Sequence, residues 1–248
     1  MSDDQLLPRL RDLAGRCANK NIPCATFFLT PAEQAEAIEY GRSLPVRPSF
    51  FGGYPEAERR LACFLPDYLT EETFDPSQFI TAVHASAPFS SLSHRDFLGS
   101  LMGLGIERQC VGDIIVKDQD CWFFLTCAIA PHVLDSMVKV GRGGVSLEEI
   151  SLDEVPSFRA DMQEISFTVQ SLRIDAVLSG VFRISRSSCQ ELFPRGDVTL
   201  NFLPCMDKDA AVEPGDIISV RHKGKAKILS ADGRSKKGRT FVTAGIYR

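Results

Sequence analysis

The chain has 248 residues, 44% of them hydrophobic and 24% charged, with a formal net charge of −4. That is enough for a real buried core, in one large domain or in two to three small ones. The opening "MSDDQLLPRL" lacks the basic-then-apolar order of a signal peptide, and the longest apolar stretch, "CWFFLTCAIAP", is too short to span a bilayer, so a cytoplasmic protein is expected. The eight cysteines include no Cys-x-x-Cys pair and none lies near a histidine at zinc-like spacing. They read as reduced, buried small hydrophobes rather than bridges or metal ligands, so no metal and no cofactor is expected.

Residues 3–20 predict a helix, with Leu6, Leu10 and Leu13 near helical spacing. Ala25 to Leu29 suits a strand. Thr30 caps a second helix that Pro31 opens and Gly41 stops. "RPSFFGGYPEAERR" reads as a loop and "RRLACFLPDYL" as a strand. A second unit opens with the strand "FITAVHAS". A helix follows, capped by Ser93, with Phe97, Leu101 and Leu104 on one face and Gly105 as its stop. "VGDIIVKDQDCWFFLTCAIA" predicts a hairpin, and "PHVLDSMVKVGRGG" a helix closed at Gly141. "VSLEEI" and "QEISFTVQ" add strands. The order βαββαβ is that of a ferredoxin-like, RRM-like plait. No aromatic segment of the kind that stacks bases stands out in it. Adjacent Phe123 and Phe124 must point to opposite faces of a strand and read as core.

Charge is distributed unevenly. Residues 171–248 hold 14 Lys+Arg against 8 Asp+Glu, a net of +6, while the rest holds 14 against 24, a net of −10. A basic final third on an acidic body points to a polyanionic partner for that third. Leu172, Ala176 and Val177 share a helical face, and the chain is expected to turn at Gly180. Ser185 caps a second helix that buries Cys189, Leu192 and Phe193 and leaves Arg186, Ser187 and Gln190 open. An arginine in a first helical turn can fork onto a phosphate. In "SVRHKGKAKI", Arg221, Lys223, Lys225 and Lys227 recur every second residue; in one extended strand all four share a side, as a phosphate rail would require. Lys236, Lys237 and Arg239 follow.

The order of these pieces resembles the S4-type RNA-binding domain. The likeness lies in Arg173-Ile174-Asp175, the Ser185-Arg186 helix start, Gly196 to Asn201 as Gly-x-Val-x-x-Asn, and Gly215 to Val220 as Gly-Asp-x-Ile-x-Val. Upstream, "LSHRDFLGSLMGLGIERQCVGDIIV", "VGRGGV" and "RRLACFLPDY" resemble the YlmH family of bacterial S4-domain proteins, so the likeness covers nearly the whole chain. It implies an α+β fold of three small units: an N-terminal α/β domain (1–77), the plait (78–165) and the S4-type domain (166–248). It also implies binding to rRNA and tRNA on the large ribosomal subunit in translation-linked quality control, with a cell-division link. The chain departs from the family pattern in three places. Asn201-Phe202 replaces an Asn-Gly turn, Pro194 shortens the second helix, and Cys189-Gln190 stand where a basic residue is expected.

The expected contacts to structured RNA are Arg173, Arg183, Ser185, Arg186, Ser187, Gln190 and Arg195, extended by Arg221, Lys223, Lys225, Lys227, Lys236, Lys237 and Arg239. No catalytic residue is expected. His94, Arg95 and Asp96 look reactive but sit where Ser93 and Asp96 would cap a helix. "GRGG" follows a helix rather than a strand and reads as a turn, with Arg142 a possible phosphate contact. No synthetase signature is present. The alternative is an RNA-modifying enzyme, pseudouridine synthase-like or methyltransferase-like, that uses the S4-type domain to hold its substrate.

Overall fold

The structure, a computed structural model, describes residues 3–87, 92–158, 161–233 and 238–247. The fold is α+β, in two compact units, residues 1–158 and 159–248. In the first, α1 (Asp3–Lys20) lays Leu6, Leu10, Leu13, Ala14 and Cys17 at three- and four-residue steps along one buried face. β1 (Cys24–Leu29) leads into α2 (Pro31–Gly41), whose first turn is closed by a capping box. There the Glu33 backbone N–H donates to Thr30 Oγ1 at 3.3 Å, and the Thr30 backbone N–H donates to Glu33 Oε2 at 2.7 Å. The segment expected as loop holds β2 (Pro48–Phe51) before its glycines turn the chain; it pairs with β3 (Arg60–Phe64) in the antiparallel order β1-β3-β2. Gly53 has φ +94°, and a Cβ there would lie 2.4 Å from the Phe124 ring, so only glycine lets this loop rest on that ring.

The plait follows as β4 (Ile80–Ser86), α3 (His94–Gly103), β5 (Val111–Lys117), β6 (Asp120–Thr126), α4 (Ala130–Ser136) and β9 (Ser146–Ile150). The sheet order β5-β6-β4-β9, antiparallel throughout, is that of a ferredoxin-like plait. α4 stops at Ser136, short of the expected Gly141, because β7 (Lys139–Val140) pairs with β8 (Gly143–Gly144). Along β4 and β6, alternate residues serve two cores. Val83, Ala85, Phe123 and Leu125 meet α3 and α4, while Ile80, Ala82 and Phe124 pack against Phe28, Leu61 and Cys63 of the first sheet. The segments expected as two separate domains therefore share one apolar interface.

The second unit comprises β10 (Met162–Val169), α5 (Ile174–Phe182), α6 (Arg186–Gln190), β11 (Val198–Leu200), β12 (Leu203–Pro204), β13 (Ile217–Val220), β14 (Gly224–Ser230) and β15 (Thr240–Tyr247). Its strands form an antiparallel sheet in the order β10-β15-β14-β13-β11-β12. β10, which the expected boundary at 165/166 divides between the plait and the S4-type domain, pairs as a whole with β15 from Met162↔Tyr247 to Val169↔Thr240, and β9 is the fourth strand of the plait. One sheet face packs on α5 and α6 through Val169, Val177, Val198, Ile218, Ala226, Ile228 and Val242. Each valine or isoleucine among them contributes about 1.5–3 kcal/mol by leaving water.

Gly180 does not end α5, which runs on to Phe182. A Cβ at Gly180 would lie 2.3 Å from the Phe167 ring of β10, so the glycine is there for close helix–sheet contact. Six of the eight cysteines are buried, leaving Cys127 and Cys205 partly accessible. Burial pushes the Cys63 thiol up to about 12 and, with the Asp175 charge, the Cys189 thiol up to about 11.

Two outcomes are expected. Gly180→Ala lowers stability by about 1–3 kcal/mol in denaturant titrations, although alanine is the better helix former. Mass-mapped alkylation of the native protein at pH 8 labels Cys127 and Cys205 well ahead of Cys63, Cys121 and Cys189. The same raised thiols set an alkaline limit. The stability they contribute is complete below about pH 8.5, the unfolded thiol value, and is lost as pH climbs from there through the folded values.

Candidate nucleic-acid interface

The start of α5 is built around a buried carboxylate. Asp175 is 1% exposed, and such a charge must be compensated. Arg173, the N-cap residue, donates from Nε and Nη2 to Asp175 at 3.2 and 3.1 Å, and its guanidinium also pairs with Asp209. Backbone bonds from Ile174 to Ala210 (2.9 Å) and from Val212 to Leu172 (2.8 Å) fasten the same junction. The Arg173 fork, expected on RNA phosphate, is thus engaged with the protein's own carboxylates.

α5 ends on Arg183 in the left-handed conformation, φ 52° and ψ 43°, and Ser179 Oγ donates to the Ile184 carbonyl at 2.6 Å. Ser185 then caps α6, accepting from the Ser188 N–H at 3.1 Å and sharing hydroxyl contacts with Ser187 and Ser188. α6 is a single short turn; Cys189 anchors it, with Sγ 3.4 Å from the Asp175 carbonyl. Arg186 and Gln190 stand exposed on its outer side. Arg186 also lines a pocket of about 340 Å³ with Phe167, Thr168, Ser179 and Arg239, which brings two guanidinium-bearing residues 53 positions apart in the chain to one cleft.

The expected four-cation row on one strand does not form. Residues 221–223 are a turn, with His222 at φ 63° and Gly224 at φ 116°, and β14 begins only at Gly224. Of the four cations only Lys225 and Lys227 lie on the outward face of β14, while Ala226 and Ile228 point to the core. The turn has a different use. The Arg221 N–H donates to the Asp197 carbonyl at 2.9 Å, and a Cβ at Gly224 would lie 4.0 Å from Phe182. Arg183, Arg195, Arg221 and Lys223 therefore come from three segments whose backbones meet at one end of the unit. Arg195 faces Glu191 at 3.4 Å. Among the described residues no ion pair engages Arg183, Arg186, Arg221 or Lys223. Lys236 and Lys237 lie outside the described residues.

The Asn201-Phe202 position keeps a two-residue hairpin turn. Both residues have positive φ, 50° and 69°, and Leu200 pairs with Leu203. Asn201 earns its place through bonds from its amide to Asp216 Oδ1 (2.8 Å) and from the Ile217 N–H to its own Oδ1 (2.9 Å). A phenylalanine at φ 69° costs about 1–3 kcal/mol of backbone strain.

On the plait, the "SHRDF" group is a helix cap. The Ser93 N–H and hydroxyl both donate to Asp96 Oδ2, which holds that carboxyl below its ordinary range. The Gly141 N–H donates to Ser100 Oγ at 3.4 Å, so the "GRGG" turn and the exposed Arg142 sit beside α3, which also carries the exposed Arg95. Sequence reasoning gave this surface little weight, and its signal was present in Arg95, Lys139 and Arg142. Nearby, Arg59 and Arg108 both donate to the Val111 carbonyl. Burial, then the neighbouring Arg59, lowers the Arg108 guanidinium to about 10. Among the described residues no group of three or more His, Cys, Asp or Glu could hold a metal ion, and no helix is long and apolar enough to cross a membrane.

Fold and surface together define a class: a multi-unit α+β protein with a plait and a second sheet-and-helix unit bearing unpaired cations. Residues 71–154 match the family model described as "Putative RNA-binding domain in YlmH". The chain is 34% identical over 218 residues to "Ribosome-associated protein quality control protein P2" of Bacillus subtilis (strain 168), covering 88% of this chain and 85% of that one. It also resembles the solved "Cell division protein ylmH from Streptococcus pneumoniae", with a TM-score of 0.54 and 22% identity over 62% of this chain and 94% of the other, a likeness of fold. The chain belongs to the YlmH family.

Arg173→Ala is expected to lower the melting temperature clearly, because it strands the Asp175 carboxylate in the core, whereas Arg195→Ala leaves it within about 1 °C of the parent. Differential scanning calorimetry separates the two.

Proposed function

We propose that this chain is a non-enzymatic, cytoplasmic RNA-binding protein that docks structured rRNA and tRNA at the large ribosomal subunit during translation-linked quality control. The observation that carries this reading is the group of exposed, unpaired cations, Arg183, Arg186, Arg221 and Lys223, set on rigid turns at the α5–α6 side of the second unit, which reads as an S4-type domain. Cations free of internal carboxylates release counterions when phosphate replaces them, and fixed spacing favours a folded backbone over a flexible one. The match of residues 71–154 to an RNA-binding family model supports a second contact through the plait, where Arg95 and Arg142 are exposed. The Bacillus subtilis relative, by its name, is ribosome-associated and acts in quality control, which supports the ribosomal setting. Arg173 is left out of the contact set and positions α5.

Binding to a structured ribosomal RNA fragment should weaken by orders of magnitude between 50 and 200 mM salt. Arg186→Ala should lower affinity several-fold, reduce the salt slope by about one, and leave the fold unchanged. Filter binding and ribosome co-sedimentation check both. Salt-independent affinity, or an Arg186→Ala variant that sediments with ribosomes as the parent does, removes the reading.

A further inference from the structure

The sheet of the second unit ends on β10, which pairs with β15 along one side. A strand at the end of a sheet presents backbone N–H and C=O groups along its other side. Among the described residues no further backbone hydrogen bond takes up that side of β10. Near the end of the strand, Phe167, Thr168, Val169 and Gln170 all line the cleft of about 340 Å³. Side chains of a strand alternate between faces, so a cleft touched by four residues in a row runs along the edge of the strand. Backbone groups of that edge are thus available inside a cavity, where they need a partner.

The opposite wall is α5, through Ala176, Ser179 and Gly180. The contact of Gly180 with the Phe167 ring brings helix and strand together and closes the floor. Among the described residues no hydrogen bond engages the Thr168 hydroxyl or the exposed Gln170 amide. Arg186 stands at the cleft, exposed and without an ion pair among the described residues. Arg239 is engaged within the protein and counts here only as a wall. No acidic residue lines the cleft, and Asp175, next to Ala176 in the chain, is buried and held by Arg173.

A ligand that completes this site carries a row of donors and acceptors for a backbone edge and an anion for a guanidinium. A nucleotide has both, on its base and its phosphate. The cleft lies at the lower end of the range of about 300–1,000 Å³ for small-ligand pockets, which suits one nucleotide and excludes a duplex. The base must therefore stand outside the helical stack. An added peptide strand would pair along the whole of β10 and, unless acidic, has no use for Arg186. We propose that the cleft between β10 and α5 receives one unpaired nucleotide of a structured RNA, its base against the open edge of β10 and its phosphate on Arg186. The proposal rests on the RNA-binding reading above and adds base recognition to a surface otherwise read as holding phosphates.

The test uses the full chain in anisotropy titrations with fluorescein-labelled RNA hairpins that share one stem. One set carries a single bulged A, C, G or U, another an abasic residue at the bulge, and the last is fully paired. The parent should bind at least one bulged hairpin about tenfold more tightly than the abasic or the paired one. Gln170→Ala should weaken that hairpin by about fivefold and hold the paired one within about twofold. Hydrogen exchange read by mass spectrometry should slow across residues 167–170 with the bulged hairpin and stay unchanged with the paired one. An acidic ten-residue peptide in about hundredfold excess should leave the bulged hairpin bound. The cleft is overturned if Gln170→Ala weakens both hairpins alike or neither, if exchange at 167–170 stays as in the free protein, or if the peptide displaces the RNA. Equal binding of the bulged and abasic hairpins also overturns it while leaving the RNA-binding reading intact; failure to bind any hairpin sinks both.

Discussion

A carboxylate buried at the start of a helix has to be answered by a cation, and the cation that answers Asp175 is Arg173. The pairing, extended to Asp209, ties the first turn of α5 to the loop that leads into β13. With that end fixed, the apolar face of α5 can settle on Phe167 with a glycine at the closest approach. The far end of the helix then places Arg183, and the tight turn after it places Arg186. The geometry of the cationic surface follows from one internal ion pair, and the arginine within that pair gives up its own freedom to meet a phosphate.

The first unit shows a different use of the same physics. A plait usually leaves one sheet face open, and in many RNA-binding plaits that face stacks bases. Here Ile80, Ala82 and Phe124 on that face are covered by Phe28, Leu61 and Cys63 of the N-terminal sheet. Further along it, His84 stacks on Trp122 at 5.1 Å and Trp122 meets Phe158 at 5.2 Å, so the aromatic side chains there pack on one another. Two exposed arginines, Arg95 and Arg142, lie on the helical side. Covering the sheet moves the accessible chemistry of the plait from base stacking to charge.

Two strained residues of the second unit, Arg183 and His222, lie where the exposed cations are, and both have positive φ. Each belongs to a turn that reverses the chain within two or three residues, which is what lets cations from distant parts of the sequence meet at one end. A longer, relaxed loop would leave the same side chains free to spread, and ordering them on a ligand would cost entropy.

Much of this was legible from residue order alone. Leucine spacing located α1, the Thr30-Pro31 and Ser93-Asp96 signatures located two helix starts, and the βαββαβ order gave the plait, because those signals are local and fall within one or two helical turns. The basic bias of the final third and the cap at Ser185 were equally readable. Three features were decided only in three dimensions. β10 pairs with β15 across more than seventy residues, so no nearby pattern could assign it to the second unit. Gly180, a stop signal by composition, sits inside a helix because a ring from another strand needs its space. Arg221 and Lys223 sit in the hairpin turn while Lys225 and Lys227 lie on β14, since hydrogen bonding between β13 and β14 overrides an alternation that one long strand would have satisfied equally well. Sequence settled which residues carry charge; packing settled which of those charges face the protein and which face the solvent.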